Sequence, residues 1–157
     1  MQPLKTVVVL ALAGVLAAAL PAFAKPNFSG EWKMNADKSD FGPAPRPDKL
    51  SRKITHEDPN LQMTTSQSGP QGEITTELKY TTDGKESTNT IRGAEVKGSA
   101  KWDGDNLVID SKREIQGQAM TLKETWVAGE DGKTLTITTA ISGGFGEFTL
   151  KLVLEKQ

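Results

Sequence analysis

The chain has 157 residues, 36% of them hydrophobic, with 19 Lys+Arg against 20 Asp+Glu, one His and no Cys. The balanced charge excludes the basic footprint of a nucleic-acid binder. Without cysteine and with a single histidine, disulfides and zinc sites of the usual ligand set are excluded too.

The apolar residues are unevenly spread. Lys5, the apolar run Val7–Leu20 and Ala22-Phe23-Ala24 have the order of a secretory signal: a positive start, a hydrophobic stretch and a small-x-small cleavage site. The run is shorter than the roughly 20 residues of a membrane span. Residues 1–24 are therefore expected to be cleaved. Residues 25–157 would remain as one exported domain, periplasmic or secreted and not anchored in a membrane. The short, Ala-rich run suits a bacterial exporter. Beyond residue 24 the hydrophobic share falls to about 29%, with Leu, Ile, Val and Phe at only about 18%. Such a chain folds only if its few apolar residues all face one way.

They are placed to do so. Trp32 and Met34 alternate with Glu31 and Lys33 in a first strand. The connector Phe41-Gly42-Pro43-Ala44-Pro45-Arg46-Pro47 is stiff and extended. Leu50, Ile54 and His56 form the next apolar row, broken by Arg52, and Asp58-Pro59-Asn60 turns the chain towards Leu61 and Met63. Ile74, Leu78 and Tyr80 follow, then a weaker strand from Glu86 to Ile91, then Val96, Ala100 and Trp102. Asp103-Gly104-Asp105-Asn106 has the composition of a hairpin turn and lacks the spacing of a calcium loop. Leu107 and Ile109, then Met120, Leu122 and Trp126, then Leu135, Ile137 and Ile141, then Phe148, Leu150, Leu152 and Leu154 complete the series. All six prolines beyond the leader lie between Pro26 and Pro70, which leaves the later strands free for central sheet. The pattern predicts an all-β fold, an antiparallel up-and-down β-barrel of about 8–10 strands, because closure hides both edges of a long meander. A two-sheet sandwich is the competing architecture. The threonines are expected on the outer face.

Asn27-Phe28-Ser29-Gly30-Glu31-Trp32-Lys33-Met34 resembles the Gly-x-Trp opening of lipocalins and fatty-acid-binding proteins, and the stretch from Asn27 to Pro45 is similar to the start of secreted bacterial lipocalin-like proteins. Lys101-Trp102-Asp103-Gly104, followed by Lys112-Arg113-Glu114-Ile115, resembles a late hairpin of fatty-acid-binding proteins, where an inward arginine holds a ligand carboxylate. The resemblance implies a calycin barrel with an internal ligand. It departs from that family where an Arg-x-Tyr pair would fall on Leu152 and Leu154, and no helical pair reads between the first two strands.

Two charges, Arg113 and Glu124, fall in phase with the apolar rows of consecutive strands. Either they form an internal ion pair, or a bulge turns them outward, or Arg113 anchors an acidic or polar head group that Glu124 orients. No nucleophile–base set can be assembled around His56, the one histidine, which reads as a packed strand-end residue. The expected function is an exported, monomeric binding protein without catalysis, metal or cofactor, holding a small apolar or amphipathic molecule. The expected lining is Trp32, Met34, Ile54, Met63, Leu78, Tyr80, Trp102, Ile109, Leu122, Trp126, Ile137 and Leu150, plus Arg113 and Glu124. The rival expectation is a ligand-free barrel or sandwich that acts as an interaction or inhibitor module of the bacterial envelope.

Overall fold

The computed structural model describes residues 24–157, so the leader expected over residues 1–24 lies, apart from Ala24, outside the described residues. Ten strands follow one another: β1 (Gly30–Met34), β2 (Lys49–Glu57), β3 (Asn60–Gly69), β4 (Gly72–Thr81), β5 (Asp83–Ile91), β6 (Ala94–Asp103), β7 (Asn106–Ile115), β8 (Gln118–Ala128), β9 (Thr134–Gly143) and β10 (Gly146–Lys156). Paired neighbours are antiparallel, and β1 also pairs with β10, giving one sheet in the order β4-β3-β2-β1-β10-β9-β8-β7-β6-β5. This is a nearly closed barrel. The sandwich alternative fails because no second sheet exists among the described residues.

The turns follow from their residues. Arg92-Gly93 joins Ile91 to its partner Ala94, and Gln116-Gly117 joins Ile115 to Gln118. All four residues have positive φ (50° and 82°, 52° and 77°), the combination that lets a two-residue hairpin match the twist of its strands.

The ladder is interrupted only between β4 and β5. There the Asn89 side chain stands in for a strand. Lys79 N donates to Asn89 Oδ1 (2.7 Å), and Asn89 Nδ2 donates to Lys79 O (3.0 Å). One inward amide thus satisfies both backbone groups of Lys79 that face the slit.

The two ends differ. The turns β2–β3, β4–β5, β6–β7 and β8–β9 surround a closed end, which the segment before β1 plugs. Phe28 stacks on His56 (5.7 Å) and Trp102 (5.9 Å) and meets Trp126 edge-on (5.4 Å). Trp32 Nε1 donates to Phe28 O (2.9 Å), and Phe28 N donates to His56 Nδ1 (3.3 Å). Phe28, which the alternation did not single out, is therefore the residue that plugs this end of the barrel. His56 is buried and faces Asp58, whose Oδ1 also accepts from Thr82 and from Trp102 Nε1 (3.2 Å). Above the plug, Ile54, Leu61, Met63, Leu107, Leu135, Ile137 and Leu154 fill the lower half solidly.

The connector 35–48 closes the wall above the short β1. Asp40 bridges to Lys151 on β10, and Asp48 N donates to Ser68 O on β3 (2.8 Å). Between those anchors the proline segment bends over the open end.

Candidate binding site

The upper half of the barrel is hollow. A cavity of about 940 Å³ opens between the proline strap (Phe41, Ala44–Pro47), the β3–β4 turn and the β5–β6 hairpin. This lies within the usual range of small-molecule pockets. A smaller depression of about 360 Å³ lies beside the β4/β5 slit and is lined largely by polar side chains such as Thr55, Glu57, Gln62 and Lys79. Its two charged side chains, Glu57 and Lys79, are exposed to solvent.

The cavity wall is mixed. Ile74, Leu78, Val96, Leu122, Ile141, Leu150 and Leu152 are apolar, while Thr65, Gln67, Thr76 and Thr139 are polar. The inward position of Thr65, Thr76 and Thr139 corrects the expectation that the threonines belong to the outer face. Each is in phase with an apolar row, and the hollow spares it the desolvation that a packed core would impose.

Of the expected lining, Leu78, Arg113, Leu122, Glu124 and Leu150 border this cavity. Trp32, Ile54, Met63, Tyr80, Ile109, Trp126 and Ile137 are buried in the solid core below it, and Met34 and Trp102 pack against that core. The division is physical: the aromatic side chains crowd the closed end, and smaller or polar residues leave the other end empty.

Arg113 and Glu124 both turn inward, but they do not pair. Arg113 lies opposite Val96 and Met120, while Glu124 lies four residues further along β8, opposite Ile109 and Thr139. Glu124 Oε2 instead accepts from Trp126 Nε1 (2.8 Å). Arg113 Nε is buried without a protein partner.

A second inward arginine completes the site. Arg52, which reads in the sequence as a break in the β2 row, is in phase with Leu50, Ile54 and His56, so the strand period turns it into the barrel. Its guanidinium lies 5.5 Å from the Trp126 ring centroid, Nε donates to Thr65 Oγ1 (2.8 Å), and Nη1 is buried and unpartnered. Among the described residues neither guanidinium has a carboxylate within 4.0 Å. Burial pulls both arginine pKa values down, opposed by the charge of Glu124 and then by Tyr80. The Tyr80 hydroxyl is pushed up to about 12, first by burial and then by Glu124. The interior thus carries two guanidiniums and one carboxylate, a formal surplus of one positive charge with donor hydrogens unused.

The fold and this hollow define a calycin-like barrel, the architecture of the fatty-acid-binding proteins. No protein-family model and no curated protein matches the chain in sequence. Solved structures do match in fold. A secretory abundant heat soluble (SAHS) protein from Ramazzottius varieornatus superposes with a TM-score of 0.60 at 16% identity, over 85% of this chain and 97% of that one. Zebrafish ileal bile acid-binding protein, complexed with cholic acid, gives 0.56 at 24% identity over 83% and 98%. Human cRBP IV gives 0.52 at 18% identity over 83% and 98%.

Proposed function

We propose that the chain binds one small amphipathic molecule in its upper cavity, with an acidic head group on Arg52 and Arg113 and an apolar body against Leu78, Leu122, Ile141, Leu150 and Leu152. One observation carries this reading: two guanidiniums in a largely apolar cavity keep buried N–H groups without acceptors. Such groups are costly unless a partner arrives, and an anion supplies both charge and acceptors. The binding proteins among the structural neighbours, one complexed with cholic acid, support the same reading.

The protein acts as a monomeric carrier or reservoir and not as a catalyst. The His56 imidazole, the one candidate base of its kind, is sealed beneath the Phe28 plug, away from the cavity. The leader-like sequence of residues 1–24 supports export to the periplasm or medium. N-terminal sequencing of the protein recovered from those fractions is expected to begin at Lys25; a chain retaining Met1 would refute export with cleavage.

The test of binding is titration with dodecanoate, read by calorimetry and by tryptophan emission, since Trp126 packs directly against Arg52, which borders the cavity. Saturable one-to-one binding is expected, weakened at least tenfold by Arg113→Leu. No heat and no emission change would overturn the reading, as would binding to an Arg52→Met/Arg113→Leu double variant equal to that of the parent.

A further inference from the structure

We propose that Glu124 is the specificity residue of this cavity: it selects a head group that carries a hydrogen-bond donor, such as a hydroxyl, beside its anion. This rests on the binding reading above and goes beyond it.

The juxtaposition around one indole supports the inference. Arg52 lies over the face of Trp126, and Glu124 holds the indole N–H of the same ring. The cation and the carboxylate are thus fixed at one level of the barrel floor, yet more than 4.0 Å apart, so they do not neutralise each other directly. The indole occupies Glu124 Oε2, while the carboxylate borders the cavity and keeps acceptor capacity there.

A bare carboxylate placed on Arg52 would face Glu124, held on the same indole, as a like charge across the span between them. A donor two or three bonds from the anion fills that span and turns the repulsion into a charge-assisted hydrogen bond. The neighbouring polar groups do not substitute for it. Among the described residues neither the Thr65 hydroxyl, which accepts from Arg52 Nε, nor the Thr139 hydroxyl, on the strand position opposite Glu124, donates to the carboxylate, whose one side-chain donor is the indole of Trp126. The Tyr80 hydroxyl keeps its proton through the ordinary pH range but makes no hydrogen bond to Glu124 either.

The experiment compares dodecanoate with 3-hydroxydodecanoate on the folded parent, on Glu124→Leu and on Glu124→Gln, by calorimetry with circular dichroism as the fold control. The parent is expected to bind the hydroxy acid about tenfold more tightly, the worth of one hydrogen bond to a charged acceptor. Glu124→Leu is expected to bring the two affinities within about threefold by strengthening dodecanoate binding and weakening that of the hydroxy acid. Should Glu124→Leu fail to fold, Glu124→Gln keeps the indole bond and a neutral acceptor, and is expected to retain only part of the preference. Equal affinities in the parent would overturn the proposal while leaving the binding function standing. So would a preference that both variants retain in full. Binding of neither acid would remove the binding function itself, and this proposal with it.

Discussion

Replacing Arg52 by methionine separates what this residue does for stability from what it does for binding. Methionine is close in length to the arginine stem and fills the same space above Trp126 without charge. The substitution removes one hydrogen bond to Thr65 and a cation–π contact at 5.5 Å, the latter worth about 0.5–2 kcal/mol. It also relieves the desolvation of a guanidinium with a buried, unpartnered Nη1, a cost of several kcal/mol per ion in protein interiors. The Thr65 hydroxyl borders the cavity and is not sealed in a dry core by the change. Set against the lost attraction of Glu124 as well, the balance favours methionine by about 1–2 kcal/mol, because the guanidinium has no carboxylate within 4.0 Å to repay its burial. For a domain of this length that is a rise in Tm of about 3–7 °C. The same variant is expected to lose roughly 10- to 100-fold in affinity for dodecanoate, the worth of charge-assisted bonds to the head group. Differential scanning calorimetry of the ligand-free protein and isothermal titration together read both quantities. A variant with a lower Tm and affinity within threefold of the parent would refute the argument, because Arg52 would then be a structural residue with its needs already met.

Three further outcomes follow from the same geometry. Tyr80 is the one tyrosine, so absorbance at 295 nm reports it alone; its midpoint should move from the ordinary 10 towards about 12 and return to 10 in denaturant. Because the folded-state value is raised, its contribution to stability is complete below pH 10 and disappears as the pH climbs through 12, so urea midpoints should fall across that window. Asn89→Ala should cost about 1–3 kcal/mol and speed hydrogen exchange at the Lys79 amide by at least tenfold, since both bonds across the β4/β5 slit come from that side chain; unchanged exchange there would show that the slit closes without it. Gly98→Ala should destabilise by about 1–3 kcal/mol, because an added methyl meets Asp110 O at 2.7 Å, Ser111 Cβ at 2.9 Å and Tyr80 Cε1 at 3.1 Å, and a neutral substitution by chemical denaturation would contradict that crowding.

Much of the barrel was legible because its strands carry a strict period of two. Once Leu135 and Ile137 face inward, Thr139 and Ile141 must follow, and the same rule turns Arg52 inward behind Leu50. The paired glycine turns set the hairpin lengths, and consecutive hairpins leave little choice of topology. Thus the class of fold, the run of strands and the in-phase positions of Arg113 and Glu124 were available from the residues alone, which left open whether a bulge turned the two charges outward. What period alone cannot state is depth. Alternation says that Trp126 and Leu122 share a face, but not that one is packed solid at 0% exposure while the other borders a void. That difference arises from non-local crowding: Phe28, Trp32, Trp102 and Trp126 come from three distant segments and meet at one end, and their volume seals it. The other end receives threonines, a glutamine and the proline strap, which cannot fill it. Register decided the charges in the same way. Arg113 and Glu124 look like neighbours along the chain, yet a four-residue offset across β7 and β8 gives Glu124 to an indole and leaves Arg113 without a partner. The low apolar content of residues 25–157 was enough to require a one-faced sheet; only the tertiary structure shows that the upper half of the barrel is an open cavity with a mixed apolar and polar wall.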